Sequence, residues 1–216
     1  MNAQRSTAKS GEVVGEKPIP SEKTNTINGH EFVDLGLPSG TLWATCNVGA
    51  TTPEGYGNYY AWGETSTKGT YDLSTYKYAN GNYGKLTKYC NKSDYGNNGF
   101  TDILTALQSG DDPATANWGS GWQAPSKAQW DELLANTTNQ WTTKNGRTLF
   151  LPAAGYRWDS ESLYVGSYGN YWSRSLYTDG SRSAWGLFFR SDGCGVYYYS
   201  RSRGFSVRPV RSARQN

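Results

Sequence analysis

The chain has 216 residues with 17 Tyr, 9 Trp and 26 Gly, and its formal net charge is +3. This length suits one domain with an ample core, and the composition favours a loop-rich, mainly β or α+β domain whose core is built on aromatic rings. No apolar run approaches the ~20 residues needed to cross a bilayer, and residues 1–25 lack the apolar segment of a secretory signal.

The first 26 residues are polar, contain two prolines and show no apolar periodicity. We therefore predict a flexible leader or linker at 1–26, one domain at 27–212 and a short tail at 213–216. The domain begins with a strand in HEFVDLG that breaks at Gly36. A second short strand follows in TLWATC.

Two helices are predicted in the middle of the chain. FTDILTALQSG, residues 100–110, spaces its apolar residues as a helix does and ends in glycine. APSKAQWDELLAN, residues 124–136, has Ser126 as its N-cap and an apolar stripe that starts at Trp130.

Short strands separated by Gly, Asp and Ser dominate the last third of the chain. They are predicted at 147–151, 171–176, 183–190, 195–200 and 205–210. Helices in mid-chain with strands at both ends predict an α+β fold with a mostly antiparallel, loop-rich sheet.

The usual catalytic patterns are absent from the sequence. The single histidine, His30, lies at the entrance of the domain beside Glu31, where a surface position is expected. Asp111 and Asp112 are adjacent and are expected to cap backbone N–H groups rather than to flank a substrate. Asp- and Asn-rich loops leave calcium open, although no EF-hand order occurs. We predict a protein that is not an enzyme and needs no cofactor.

Three cysteines cannot all pair, and their spacing fits no zinc pattern. A Cys46–Cys90 disulfide and buried free thiols both remain open, with free thiols the commoner outcome. Cys194 lies in the C-terminal segment.

Charge is unevenly distributed along the chain. Residues 157–216 contain 9 Arg, no Lys and 4 acidic residues. Such a basic end can meet an acidic glycan or nucleic acid, or can form a solvated face. We favour the solvated face and expect no nucleic-acid partner, because no nucleic-acid-binding motif occurs.

In the C-terminal segment, one face of a predicted strand is apolar, whereas the other face carries residues that share no chemistry. Along residues 185–190, Trp, Leu and Phe occupy one face of the predicted strand, whereas the alternate positions hold Gly, Phe and Arg. Residues 162–207 contain no Lys, Glu, Gln or Met, although residues 1–161 contain 24 of them. Codons ending in a pyrimidine cannot encode these four residue types. The gap is therefore what mutation of asparagine codons at their adenines would leave.

Several blocks of the sequence, in order, resemble the Fibrobacter succinogenes major paralogous domain of Bacteroidetes. They are EFVDLGLPSGTLWATCNVGA, YGNYYAWGE, DDPATANWG, WQAPSKAQWDELL, LPAAGY, GNYWS and GFSVRPVR. The resemblance implies a C-type-lectin-like fold. It also implies a variable protein of a diversity-generating retroelement, with a variable region at about 157–203. The calcium–sugar motifs of true C-type lectins are absent.

The resemblance implies a display protein that binds an unknown protein or glycan through residues selected within the variable region. Its carrier would be a cell surface or a phage virion, and the chain would belong to a larger assembly. Arg157 and Asp159 are weaker contact candidates. The expected contact residues are Tyr164, Tyr168, Arg174, Tyr177, Asp179, Arg182, Gly186, Phe188, Arg190, Asp192, Tyr197, Tyr198, Tyr199, Ser200, Ser202 and Arg203. The expected frame residues are Val196, Arg201, Gly204, Phe205 and Val207.

These contact residues are rich in Tyr, Ser, Gly and Arg, which paratopes also favour. Two other functions remain open. A fixed carbohydrate-binding adhesin would use the same aromatics to stack on sugars but would not explain the compositional gap. A degenerate enzyme of the formylglycine-generating type would need reactive cysteines.

Overall fold

The computed structural model describes residues 25–138, 141 and 143–212. Most of the predicted leader, residues 1–24, and the predicted tail, 213–216, lie outside the described residues. Within the described ranges the fold is mixed α/β, with two α-helices and several antiparallel sheets. Its strands are β1 Thr26–Ile27, β2 His30–Asp34, β3 Thr41–Ala44, β4 Tyr156–Trp158, β5 Glu161–Leu163, β6 Gly169–Leu176, β7 Ser183–Arg190, β8 Gly193–Ser200 and β9 Val210–Ser212.

The strands form three sheets. One has the order β1-β2-β3-β9, one is the β4-β5 hairpin, and the third has the order β6-β7-β8. All of these pairings are antiparallel. β3 pairs with β9, so the N-terminal and C-terminal parts of the described domain are hydrogen-bonded to each other.

The helices are α1, Pro113–Trp118, and α2, Lys127–Asn136. The prediction for α2 is confirmed: Ser126 accepts from the backbone N–H of Gln129, whose side chain accepts from the backbone N–H of Ser126, a complete capping box. Trp130 and Leu133 are buried. Short 3-10 turns occur at Ser93–Tyr95, Asn97–Gly99 and Ser109–Asp111.

The predicted helix at 100–110 is wrong. Ile103, counted in its apolar stripe, is 94% exposed. This segment instead pairs with β6: the backbone N–H of Leu107 donates to Arg174 O, and that of Leu176 donates to Thr105 O. Tertiary hydrogen bonds have overridden the local spacing, and the first helix forms later, at Pro113–Trp118, with Asp112 as its N-cap.

Two predicted strands are also wrong. Residues 147–151 bury Leu149 and Leu151 and expose Phe150, as the alternation requires, but they lack a continuous partner strand among the described residues. Residues 205–210 form only isolated β-bridges, each with a different segment of the chain. A strand begins only at Val210. The predictions at 171–176, 183–190 and 195–200 are confirmed as parts of β6, β7 and β8.

The core consists of two aromatic clusters on opposite sides of the β6-β7-β8 sheet. Trp172, Leu176 and Ala184 belong to the larger cluster, whereas Tyr171 and Leu187 belong to the smaller one, against which α2 packs. The prediction of a core built on rings is confirmed, because Trp and Tyr supply most of the largest fully buried side chains. The sheet that carries the candidate site is thus supported on both sides.

Candidate ligand-binding face

The β6-β7-β8 sheet sorts the candidate residues by strand alternation. Its register pairs Gly186 with Tyr197 and Trp185 with Tyr198, so that neighbours along β8 lie on opposite faces. Tyr197 shares its face with Phe188, and their ring centroids are 6.2 Å apart. The contiguous sequence YYY therefore does not form one patch.

A row of rings follows the Tyr197 side of the sheet. Phe188 meets Tyr168 edge to face at 5.3 Å, Tyr168 stacks on Tyr164 at 4.3 Å, and Tyr164 lies 5.9 Å from Tyr156. We call this surface the aromatic face. Its residues are Tyr156, Trp158, Tyr164, Tyr168, Phe188, Tyr197 and Tyr199.

The aromatic face is accessible. Trp158 is 52% exposed, and Tyr164 and Tyr197 are each 51% exposed. Tyr199 lies deeper, 5.1 Å from the buried ring of Phe205, and burial raises the pKa of its phenol to about 12. The face therefore has an exposed rim of rings and a more deeply packed floor.

Tight backbone geometry positions the loop that carries Tyr164 and Tyr168. Gly155 has a φ of +65°, and a Cβ there would lie 2.2 Å from the carbonyl oxygen of Leu163. The backbone N–H of Gly155 donates to Tyr168 O at 2.6 Å. Only glycine allows these two chain segments to approach this closely. The loop that carries the stacked tyrosines is therefore held in position.

Arg203 lies at the end of the aromatic face. Its guanidinium carbon is 5.4 Å from the ring centroid of Tyr156 and 5.1 Å from that of Trp158. Both distances are within the range of cation–π attraction. Beside it, Ser200 and Ser202 share a 3.0 Å hydrogen bond, and Ser200 also contacts the hydroxyl of Tyr83.

Most of the predicted frame residues are buried. Arg201, Phe205 and Val207 are each 0% exposed, and Gly204 is buried, whereas Val196 is half-buried against the smaller cluster. Arg201 donates to Tyr76 Oη and to the carbonyl oxygens of Lys88, Tyr89 and Ser181. Four of the five predicted frame positions are therefore buried, and Val196 is the exception.

Tyr177 and Tyr198 lie on the opposite side of the sheet. Their rings stack at 4.0 Å, and both meet Trp185 edge to face. Lys127 Nζ lies 4.8 Å above the Trp185 ring. This second patch is separate from the aromatic face, so the predicted contact residues do not form a single surface.

The remaining predicted contact residues differ in exposure. Arg190 and Asp192 form an exposed ion pair at the β7–β8 turn, with 2.5 Å between Arg190 Nε and Asp192 Oδ1. Asp179 and Arg182 are exposed near the β6–β7 turn. Gly186 is buried, and a Cβ there would lie 2.8 Å from the carbonyl oxygen of Tyr171, so the prediction of Gly186 as a contact residue is wrong.

Arg174 and Arg157 make largely internal contacts, unlike the other weaker candidate. Arg174 is half-buried and donates to the side chain of Gln123. Arg157 donates to the carbonyl oxygens of Gly69 and Ser160, both at 2.9 Å, and so ties the β4-β5 hairpin to a loop. Asp159 is exposed, with a φ of 53° in the hairpin turn.

Sequence reasoning missed Tyr156 and Trp158 as members of the face. A pyrimidine-ending codon cannot encode Trp, so the codon argument passes over Trp158, and Tyr156 precedes the predicted variable region. Tertiary contacts bring them into the site, because both rings lie near Arg203 and Tyr156 also lies near Tyr164.

Asp112 and His30, two titratable residues named from the sequence, both contact other parts of the fold. Asp112 is buried and accepts from the backbone N–H groups of Ala114, Thr115 and Ala124, and burial raises its pKa. His30 is half-buried, stacked at 3.7 Å on Trp118, and burial lowers its pKa.

Asp111 binds side chains rather than backbone. It accepts hydrogen bonds from Lys88 Nζ and from the hydroxyls of Tyr78 and Tyr89. Burial acts to raise its pKa, but these hydrogen bonds outweigh burial and bring the pKa down to about 2. The prediction of backbone capping therefore fits Asp112 and is wrong for Asp111.

Cys46, Cys90 and Cys194 are free thiols, so Cys46 and Cys90 form no disulfide. In the part of the chain that the structure describes, no group of three or more His, Cys, Asp or Glu side chains could hold a metal ion. Within the same residues, no helix is long and apolar enough to span a membrane.

Comparison with known proteins gives one partial match. Residues 136–210 are similar to a family described as a domain of unknown function, DUF8237. This stretch starts at the end of α2 and includes the whole aromatic face. No curated protein matches the chain. No solved structure matches it either.

Proposed function

We propose that this protein is a non-catalytic display protein with a C-type-lectin-like fold, whose aromatic face binds a protein or glycan on another surface. Two helices and loop-rich antiparallel sheets support the fold assignment. The carrier is a cell surface or a phage virion. Five of the seven rings of the aromatic face lie in the segment that varies between copies.

The observation that carries this proposal is the separation of exposed rings from a buried frame within one segment. Tyr197 is half exposed, whereas Arg201 and Phe205, a few residues further on, are completely buried. The segment that lacks Lys, Glu, Gln and Met supplies five of the seven rings of the face. Substitution of rim residues would change what the face binds and leave the core intact.

The residue types of the face suit recognition of a macromolecule. Tyr and Trp give large contact areas at low cost in conformational entropy, and an Arg at the edge adds a charged anchor. Because the rings are pre-positioned by packing and by the Gly155 turn, binding requires little reordering.

The test is to sequence the 3′ end of the gene in many cells of one population and to map variation by codon. We expect variation at Tyr164, Tyr168, Phe188 and Tyr197, at adenines of a template copy, with the Phe205 codon silent. An invariant segment would overturn diversification and would favour a fixed carbohydrate-binding module.

A further inference from the structure

A cavity of about 510 Å³ opens beside Trp158 and Arg203. Its volume is within the range of ~300–1,000 Å³ that is usual for small-ligand sites. One wall contains Asp72 and Tyr83, which lie outside the predicted variable region. The other wall contains Trp158, Ser200, Ser202 and Arg203, which lie inside it. The cavity therefore joins a constant part of the chain to the proposed variable part.

Arg203 has unused donors in this cavity. Among the described residues, its side chain makes no ion pair and no hydrogen bond, in contrast to Arg201, whose guanidinium makes four hydrogen bonds. The rings of Tyr156 and Trp158 hold the guanidinium by cation–π contact. A planar guanidinium that is held in place with free N–H groups matches a carboxylate in a bidentate arrangement.

The constant wall supplies a hydrogen-bond acceptor. Ser74 Oγ and the backbone N–H of Thr75 both donate to Oδ1 of Asp72, at 2.8 and 3.0 Å. The hydrogen bond from Ser74 lowers the pKa of Asp72, so this carboxylate is ionised at neutral pH. Its second oxygen has no partner among the described residues and can accept from a ligand hydroxyl.

Hydroxyl groups and a flat ring complete the lining. Tyr83, Ser200 and Ser202 form a connected hydroxyl chain that can both donate and accept. The half-exposed indole of Trp158 offers an apolar plane next to them. A pyranose ring has an apolar C–H side and a hydroxyl edge, so it can pack on such a plane while it hydrogen-bonds to the wall.

We propose that this cavity binds an acidic sugar, a pyranose with one carboxylate, as in a uronic acid residue of a glycan. The carboxylate pairs with Arg203, hydroxyls donate to Asp72 and the serines, and the ring packs on Trp158. The negative charge of Asp72 disfavours a polyanionic ligand, because a second negative group of the ligand would lie near the Asp72 carboxylate and be repelled by it. This inference rests on the proposed function and assigns a ligand class to one edge of the aromatic face.

The test measures binding of two sugars that differ only at one carbon, methyl glucuronide and methyl glucoside, to the full chain by ligand-observed NMR titration. We expect glucuronide to bind and glucoside to bind about tenfold more weakly or worse, because a hydrogen bond between charged groups is lost. Arg203→Gln should reduce glucuronide binding by a similar factor. Trp158→Ala should weaken both sugars.

Arg147→Gln is the matched control, because Arg147 pairs with Asp34 and lines a different cavity. It should leave binding of both sugars unchanged, and thermal unfolding should show that all three variants are folded. Equal binding of the two sugars, or no binding of either, would overturn the proposal. Tighter binding of a tri-glutamate peptide or of inorganic phosphate would also overturn it, in favour of an acidic peptide or a free anion.

Failure of this inference is distinguishable from failure of the proposed function. If glucuronide does not bind but the gene segment varies between cells, the face is a diversified surface for another ligand. If glucuronide binds and the segment is invariant, the cavity is a fixed acidic-sugar site and the diversification proposal fails.

Discussion

Tyr197 and Tyr198 are adjacent in the sequence, yet their rings lie on opposite faces of the β6-β7-β8 sheet. Tyr197 approaches Phe188 at 6.2 Å, whereas Tyr198 stacks on Tyr177 at 4.0 Å and meets Trp185 at 6.0 Å. Both side chains are about half exposed, at 51% and 53%. The two residues therefore form a matched pair, alike in exposure but different in the number of ring contacts.

We expect Tyr198→Ser to destabilise the protein more than Tyr197→Ser. The difference should be about 1 kcal/mol, because the Tyr198 ring takes part in a stacked pair and an edge contact. Chemical denaturation of both variants measures this difference directly. A double-mutant cycle with Tyr177→Ser should assign most of it to the stacked pair.

Equal costs for the two substitutions would show that the Tyr177–Tyr198 stack is not a stabilising contact. In that case Tyr198 would be as free to vary as Tyr197. The population sequences described above offer an independent check, because a structural Tyr198 should vary less between cells than Tyr197.

Local sequence signals predicted the elements that are stabilised locally. Ser126 and Gln129 form their capping box within one turn, and the alternation in β6, β7 and β8 matches hairpin neighbours in the chain. The segment at 100–110 could not be predicted in this way, because its partner is the backbone of Arg174 and Leu176, about seventy residues further on. Helical spacing alone carries no information about that pairing.

The candidate site was predicted in part for the same reason. The family resemblance, together with the compositional gap, indicated Tyr164, Tyr168, Phe188 and Tyr197, whose rings the structure brings to one face. Alternation alone predicts that Tyr198 points away from Tyr197, but it could not place Tyr177 against Tyr198, because that contact depends on which strands pair. The constant wall of the cavity at Asp72 is likewise a tertiary feature, distant in sequence from the residues that it faces.

A second prediction concerns Gly155, on which the Tyr164–Tyr168 loop rests. Gly155→Ala should cost distinctly more than Gly166→Ala, although both glycines have a positive φ, +65° and +82°. At Gly166 an added Cβ meets nothing within 4 Å, so only the backbone strain of about 1–2 kcal/mol applies. At Gly155 the Cβ would also collide with the Leu163 carbonyl oxygen at 2.2 Å.

Thermal unfolding of the two alanine variants measures this difference. Near-ultraviolet circular dichroism should change with Gly155→Ala alone, because the loop must move and carry the stacked tyrosines with it. Indistinguishable melting temperatures would show that the loop adapts, and that Gly155 does not position the rings.

A third prediction follows from the low pKa of Asp111. Burial opposes ionisation, but hydrogen bonds from Lys88, Tyr78 and Tyr89 lower the pKa from its ordinary 3.8 to about 2. A group whose pKa is lower in the folded state stabilises the protein above the unfolded value. That stability is lost as the pH falls from about 4 to about 2 and the carboxylate takes up a proton.

Urea unfolding at pH values from 2 to 7 should therefore show a contribution of about 2 kcal/mol that disappears toward pH 2. Asp111→Asn should remove this part of the pH dependence. Asp131→Asn is the control, because Asp131 pairs with Lys127 on the exposed side of α2. If Asp111→Asn retains the wild-type pH dependence, the network does not stabilise the carboxylate.

The last prediction compares a predicted frame residue, Arg201, with a predicted contact residue, Arg203, two positions further along the chain. Arg201 is completely buried, and its guanidinium makes four hydrogen bonds and lies 5.0 Å from the ring centroid of Trp62. Arg201→Ala should destabilise the fold by about 3–5 kcal/mol, because it leaves several buried acceptors unpaired. Arg203→Ala should cost about 1 kcal/mol or less, because the side chain makes no hydrogen bond among the described residues and contacts only the half-buried Tyr156 ring and the exposed Trp158 ring.

Chemical denaturation of the two alanine variants measures both costs under the same conditions. A similarly small cost at both positions would show that water or neighbouring hydroxyls replace the Arg201 guanidinium, and the frame would then lack its buried anchor. With the expected difference, the Arg201 codon should stay constant between cells while the Arg203 codon varies. If the proposed function holds, we expect selection for folding to act on position 201, whereas position 203 would be constrained by the ligand of the cavity.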